Sequence, residues 1–461
     1  MNYAISSLNQ FFSKEERINW WNAFYSFSFQ IFGQILRLGC NIVLTYFLMP
    51  ELFGVMALIN IWVVGIQLLS DFGLAPSLQR SQHWNKHELH HTAWSLQILR
   101  GLLIFAITYL IADEFEKFYD YPNLALYLII GTTSILISSF ASVEIFIHPR
   151  RGLFKEIALF EFKAQLISSF IGLAFCVIYP SIWALIIIPI ISSIYKLIFS
   201  FKLIHSHKPV FKLNKQFCNE ILPFGGLILI CTALHFSASY FDRFLMGKFY
   251  DKELLGIYCI ALALAESPRQ WASQMSSKFI LPLIAQKNHQ PEVMLYKTIL
   301  QKREKPVYLL SICLSLLICT GDLLFLHLYS QEYANASWIF QVLLIGLWFT
   351  IMSTTSESLH YLKGKPWAPI IGNLIKCFHL ALIPLLIIFE FTWFEIIIWI
   401  SIKDIWHWAV LHIGYRKRNI SFLRQDLVSF CIFITSLYLF SELRNYYDYP
   451  LALLNELFQT T

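Results

Sequence analysis

The sequence predicts an all-α, multi-pass membrane protein of about 12–13 transmembrane helices arranged as two six-helix lobes. Three observations lead there. Of its 461 residues 57% are hydrophobic and only 14% are charged, whereas soluble domains carry about a quarter charged residues. Nine or more stretches, such as YLIIGTTSILISSFASV and WALIIIPIISSIYKLIF, are apolar on all sides and as long as a bilayer is thick. A short motif then recurs halfway along the chain.

The elements follow in order. Residues 1–19 (MNYAISSLNQFFSKEERIN) are polar and charged, unlike a signal peptide, and are read as a cytosolic segment ahead of a retained first span. Spans at 22–48, 54–78, 92–112, 124–144, 157–178 and 181–201 build an N-lobe, residues 20–202. A basic linker, 203–219, carries Lys208, Lys212 and Lys215. The C-lobe, 220–412, holds spans at 220–246, 254–280, 306–328, 337–360, 368–389 and 393–412. Residues 413–461 supply a basic loop (Arg416, Lys417, Arg418, Arg424), an extra helix near 427–441 and a tail. Pro76, Pro189, Pro268 and Pro384 mark kinks within spans, and Trp20, Trp21, Trp338 and Trp393 at span ends are interface anchors.

The loops orient the chain. With the N-terminus in the cytosol, roughly 22 Lys and Arg fall on inner segments and roughly 4 on outer ones, as the positive-inside rule requires. The inner loops include 145–156 (Arg150, Arg151, Lys155) and 281–305 (Lys287, Lys297, Lys302, Arg303, Lys305), while outer loops are short or acidic, as in DEFEKFYDYPN. The +6 net charge therefore faces lipid headgroups and implies no nucleic-acid partner. ELFGVMALI from Glu51 and ELLGIYCIA from Glu253 are the recurring motif. Each follows a long apolar span and opens another in the same orientation, which predicts parallel repeats enclosing a central cavity.

Ionisable residues at mid-bilayer are costly, so they are the functional candidates. Arg37 lies near the middle of the first span with no acid one turn away, and Asn41 shares its face. Asp242 and Arg243 in the seventh span, Glu266 and Arg269 in the eighth, and Lys403 and Asp404 with His407 in the twelfth are read as neighbouring, self-neutralising groups. Arg37, Arg243 and Arg269 offer forked donors suited to phosphate. Arg100, Lys376 and Lys403 extend a cationic path. Asp71, Glu144, Asp322 and Glu357 stand as isolated acids near span ends; Asp71, Asp242 and Glu266 are the candidates for proton or sodium coupling. Lys163, Lys196 and Lys278 lie near the inner face and snorkel. His83, His87, His90 and His91 crowd one loop but lack a metal-ligand set, and the nine cysteines read as small core residues, so no metal or other cofactor is expected. No GxxxxGK[ST] loop for ATP occurs.

TYFLMPELFGVMALI with LSDFGLAPSLQ, RGLF at Arg151–Phe154, and YFDRFLMGKF, LLGIY and Pro268 in succession resemble the Wzx-type O-antigen and polysaccharide flippases of the multidrug/oligosaccharidyl-lipid/polysaccharide (MOP) exporter superfamily. The likeness runs over roughly residues 20–412. It implies a MATE-like fold of two lobes, no catalytic residue, and a cationic cavity for the pyrophosphate and sugars of an undecaprenyl-linked oligosaccharide in the bacterial cytoplasmic (inner) membrane. Membrane lipids and glycan polymerase or assembly proteins are the other partners it implies. Tyr46 departs from the pattern, standing where an Arg commonly precedes the Leu-x-Pro turn, and so does the odd extra span. The rival functions are a drug exporter of the same superfamily, which would favour acids in its cavity, a membrane glycan polymerase or glycosyltransferase, which needs large outer loops, and a structural partner in a glycan-assembly complex.

Overall fold

The computed structural model describes residues 14–151, 153–202, 209–221, 225–276, 292–357, 360, 367–416 and 421–446. Every regular element among them is a helix. Residues 1–13 of the expected cytosolic segment, residues 447–461 of the expected tail, Lys208, Lys278, Lys287, Lys417 and Arg418 lie outside the described residues. The chain forms two compact units, one of Met1–Phe47 and Ile59–Thr232, the other of Leu48–Leu58 and Ala233–Thr461.

The first stretch of chain contains α1 (Lys14–Thr45), α2 (Pro50–Leu69), α3 (Leu74–Arg80), α4 (His87–Tyr119), α5 (Leu124–Ser139), α6 (Glu144–Ile147), a 3-10 turn (His148–Arg151), α7 (Phe154–Ile178), α8 (Ile182–Ser200) and α9 (Lys215–Ile221). In the first unit α1 packs on α7, α7 on α8, α8 on α5 and α5 on α4. Small polar residues line these contacts and return their hydroxyls to their own helices, as Thr108 does to the Ile104 carbonyl (2.9 Å) while accepting the Trp62 indole N–H (2.9 Å). At one end Leu74, Leu78, Leu89, Ala93, Val143, Ile147, Phe217 and Ile221 form an apolar cluster that holds α3, α4, α6 and α9 together.

Next come α10 (Gly225–Phe249), α11 (Lys252–Met275), α12 (Glu292–Leu328), α13 (Ala336–Ser356), α14 (Trp367–Ala381), α15 (Ile383–Ile388), α16 (Trp393–Ser401), α17 (Asp404–Arg416) and α18 (Leu423–Tyr446). In the second unit α13 is the central helix, packed against α11, α12, α16 and α17. Its sequence is apolar for most of its length and is buried on nearly every side, as expected of an enclosed helix.

Among the described residues nine helical stretches are long and apolar enough to cross a membrane, and α5 is a shorter apolar helix. The remaining predicted spans are α1, α10 and α11, long helices whose apolar runs are interrupted by residues such as Arg37, Asp242, Arg243, Glu266 and Arg269. Three predicted spans are broken. The second bends at Gly73, whose left-handed φ of 69° suits glycine. The eleventh breaks after Ala381, with Pro384 in the first turn of α15, and the twelfth breaks at residues 402–403. The ninth starts well before 306: α12 begins at Glu292 because Ile299 packs with Ala368, Leu411, Tyr415 and Phe422, pulling a predicted loop into the helix.

Two contacts tie the second unit together. The repeated motifs meet backbone to backbone: a Cβ on Gly54 would lie 1.9 Å from the Lys252 carbonyl oxygen, and one on Gly256 1.8 Å from that of Pro50. This exchange is reciprocal, as a two-fold relation between equivalent segments requires. The other contact joins α12 and α18. Ser311 bonds Ser429 (2.7 Å), Ser436 bonds Ser315 (2.8 Å), the Cys319 thiol reaches the Leu437 carbonyl (3.8 Å), and Arg444 grips Asp322. Both numbering series rise together, so the helices are parallel. A ninth and a thirteenth span must run parallel if every intervening one crosses once.

Replacing Gly54 or Gly256 by Val should sharply lower the yield of folded protein in size-exclusion chromatography. Gly39→Ala, where an added Cβ meets nothing within 4 Å, should leave it unchanged.

Candidate functional site

Each candidate charge lies in a helix or at a helix break, as Asp71 and Lys403 do, and the partners it meets decide what it is free to do. In the first unit Arg37 projects from α1, exposed, and among the described residues nothing hydrogen-bonds or pairs with it. Asn41 lies one turn on, half-buried. Arg100 of α4 is engaged at the end of α2. Its Nε donates to the Ser70 hydroxyl (3.0 Å), another nitrogen to the Gln67 carbonyl, and Asp71 stands 3.8 Å away. Asp71 also accepts the Gly73 N–H (3.0 Å). It is therefore a turn-capping acid with a cationic neighbour, not an isolated one.

In the second unit the charges of the seventh and twelfth spans pair across helices. Asp242, fully buried, accepts the Tyr258 hydroxyl (2.7 Å) and the Lys403 ammonium (2.9 Å). Asp404 accepts Lys376 (3.0 Å) and the Thr350 hydroxyl (2.9 Å). The expected Lys403–Asp404 pair thus does not form. The break between α16 and α17 turns these neighbours apart, and each finds a partner on another helix. The Asp242–Arg243 pair is likewise replaced: Arg243 lies over the Tyr240 ring at 4.5 Å, and its Nε is buried with no hydrogen-bond partner. Glu266 and Arg269 do pair along α11 as their i,i+3 spacing suggests.

The other acids read as isolated are also matched. Asp322 holds Arg444, Glu144 holds His90 (2.9 Å) and Arg151 (3.2 Å), and Glu357 lies 3.9 Å from His407.

One group escaped the sequence reading. Arg303, expected in a cytosolic loop, is fully buried in α12 and pairs with the fully buried Asp426 of α18 at 2.6 Å. It also donates to Thr355 (2.8 Å), Gln425 (2.8 Å) and the Met352 carbonyl (3.1 Å), while Trp408 donates to Asp426 (2.9 Å). Four helices converge on this pair. Its satisfied donors mark it as a packing device. The spacing of Arg303 from Ile299 and Val307, one turn on either side, was the signal that it sat on a buried helix face.

Beyond the spans, the Glu144 cluster fixes the α5–α7 connection. Burial alone would raise the Glu144 carboxyl, but the His90 hydrogen bond, the His90 charge and Arg151 outweigh it and hold the group below the ordinary range. The nearby His148 is lowered, chiefly by burial, which disfavours its charged form. Among the described residues no three His, Cys, Asp or Glu side chains are placed to hold a metal ion.

Residues 43–338 match the family described as polysaccharide biosynthesis protein. No curated protein matches the chain. Among solved structures, an inward-facing multidrug resistance MATE family transporter of the MOP superfamily is similar with a TM-score of 0.64 at 11% identity, covering 89% of this chain and 98% of that one. A MATE protein in complex with MaD3S is similar with a TM-score of 0.53 at 12% identity, over 89% and 94%. One in complex with MaL6 reaches 0.51 at 12%, over 89% and 95%. At these identities the likeness establishes the fold.

Two outcomes are expected. Asp426→Ala, which strands a buried guanidinium, should cost about 3–5 kcal/mol in thermal or denaturant unfolding, and Arg303→Met/Asp426→Leu should recover most of it; Arg37→Ala should cost little by the same measurement. Because the native state binds a proton at His148 less readily than the unfolded chain does, stability should fall as pH drops below about 6.5. His148→Gln should flatten that part of a melting-temperature profile.

Proposed function

The chain belongs to the polysaccharide biosynthesis protein family and has the MOP-superfamily transporter fold, and from that premise we propose that it is a flippase. Its substrate would be an undecaprenyl-pyrophosphate-linked oligosaccharide, an O-antigen or other surface-polysaccharide repeat unit, carried from the inner to the outer leaflet of the bacterial cytoplasmic membrane with the N-terminus cytosolic. Family and fold are those of transporters rather than enzymes.

One observation carries the reading. Asp71, Asp242, Glu266, Asp322, Asp404 and Asp426 each have a basic partner, while Arg37 has none among the described residues and Arg243 has an unmatched Nε. What stays available in the spans is positive charge in forked form, which suits a diphosphate. Arg37 is assigned to the pyrophosphate; Arg243 offers the same chemistry in the second unit, and Arg269 does so once its bond to Glu266 opens. Asp242 is held by Lys403 and Tyr258 and is engaged in helix packing. Glu266, bound to one Arg and partly exposed, is the better candidate for proton or sodium coupling, and any gradient acts only through its differential affinity for two states. Export of a cationic drug would call for unmatched acids, and these six acids are matched.

A strain lacking the protein should accumulate complete lipid-linked oligosaccharide on the cytosolic leaflet, and the wild-type gene should clear it. Arg37→Ala should restore less than about a tenth of surface glycan, Arg269→Ala an intermediate amount, and Lys163→Ala, exposed near a span end, full levels. Units that reach the outer face unaided would sink the proposal.

A further inference from the structure

We propose that residues 209–214, in the linker between the two repeats, form an anchor lying in the plane of the membrane surface. Val210, Phe211 and Leu213 enter the boundary between headgroups and acyl chains of one leaflet, and Lys212 and Lys215 meet the phosphates of anionic lipids. The proposal is independent of what the protein carries.

The first unit fixes this stretch against one end of α4. The segment is not helical, and its alternate backbone N–H groups donate to side chains of α4. Val210 donates to His91 Nδ1 (3.0 Å), Lys212 to the Ser95 hydroxyl (2.9 Å) and Asn214 to the Thr92 hydroxyl (3.2 Å). Thr92 and Ser95 are buried. The next residues form α9, which is seated in the apolar cluster by Phe217 and Ile221 and accepts the Ser81 hydroxyl at Glu220 (2.6 Å). Fastened on both sides in this way, the segment leaves Val210, Phe211 and Leu213 exposed by 60%, 55% and 47%.

Their level along α4 says what covers them. From Ser95 to Ala112, ahead of the acids Asp113, Glu114 and Glu116, α4 rises about 26 Å, close to the roughly 30 Å of a bilayer's hydrocarbon core. Ser95 therefore stands at the edge of that core. One and two turns further in, Leu99, Leu102 and Leu103 are exposed apolar residues of a membrane-crossing helix. Trp94, at the same level as Ser95, stands where interfacial indoles are enriched.

The charges fit a lipid headgroup. Lys212 reaches away from the core edge, its ammonium 3.6 Å from Glu88, two turns nearer the end of α4. Glu88 is also met by the Asn214 amide (3.4 Å), so the acid beside the segment is engaged. Lys215 is exposed. Among the described residues no acceptor meets the backbone N–H groups of Phe211 and Leu213, and phosphate oxygens supply one. Apolar side chains at the boundary with lysines beside them are the pattern of a surface-lying membrane segment, strengthened by anionic lipid.

The test puts the photoreactive residue p-benzoylphenylalanine in place of Phe211 in the full-length protein and identifies what it couples to on irradiation, first in cells and then in nanodiscs of equal phosphatidylcholine and phosphatidylglycerol. Lipid adducts should form, as they should with the same residue in place of Leu103 within the membrane, and phosphatidylglycerol should outnumber phosphatidylcholine among them by about fivefold. Lys212→Gln/Lys215→Gln should bring that ratio close to one without changing the adducts at position 103. Position 213 serves where the residue at 211 lowers the yield of protein. Coupling only to another polypeptide or to another part of this chain, or no coupling while position 103 is labelled, would overturn the anchor. A lipid ratio that the glutamine pair leaves unchanged would overturn the part given to the lysines.

Discussion

An ionised group placed in a membrane must be matched by an opposite charge or kept wet, and this constraint sorts the charged residues of the protein into two kinds. The matched kind binds helices together. Arg303 and Asp426, with no exposed surface, draw α12, α13, α17 and α18 to one point. Asp242 with Lys403 and Asp404 with Lys376 cross-link the second unit in the same way. The exposed and unmatched kind is represented by Arg37. An unmatched guanidinium is costly in a membrane-spanning helix, so Arg37 needs a reason beyond packing. A ligand with negative charge supplies one.

The helices were legible in the amino-acid sequence because apolar runs of bilayer length have few alternative uses, and the described residues contain a helix for each predicted span. The glycine motif was legible as a repeat, although its reason emerges only from the backbone contact between Gly54 and Gly256. Breaks within spans were harder to see. Gly73 and residues 402–403 interrupt helices through local turns that leave the apolar run almost intact.

Pairings were the least legible. Lys403 sits next to Asp404 in sequence yet bonds Asp242, 161 residues away, because the helix break at residues 402–403 turns it from Asp404, whose carboxylate Lys376 occupies. In sequence Arg303 counts as a loop cation, since the positive-inside rule tallies charges without seeing which lie under a neighbouring helix. Within the candidate site Arg37 stands out by depth and charge.

Among the described residues Arg37 has no partner, and serving the substrate is the reason proposed for it. The direct measurement is transbilayer movement of a lipid-linked oligosaccharide in proteoliposomes, compared between wild type and Arg37→Ala with the melting temperature of each recorded. The account predicts that wild type equilibrates the lipid between leaflets and that Arg37→Ala slows this by about tenfold or more without a loss of thermal stability. Movement at the wild-type rate in Arg37→Ala, or a collapse of its stability, would contradict it.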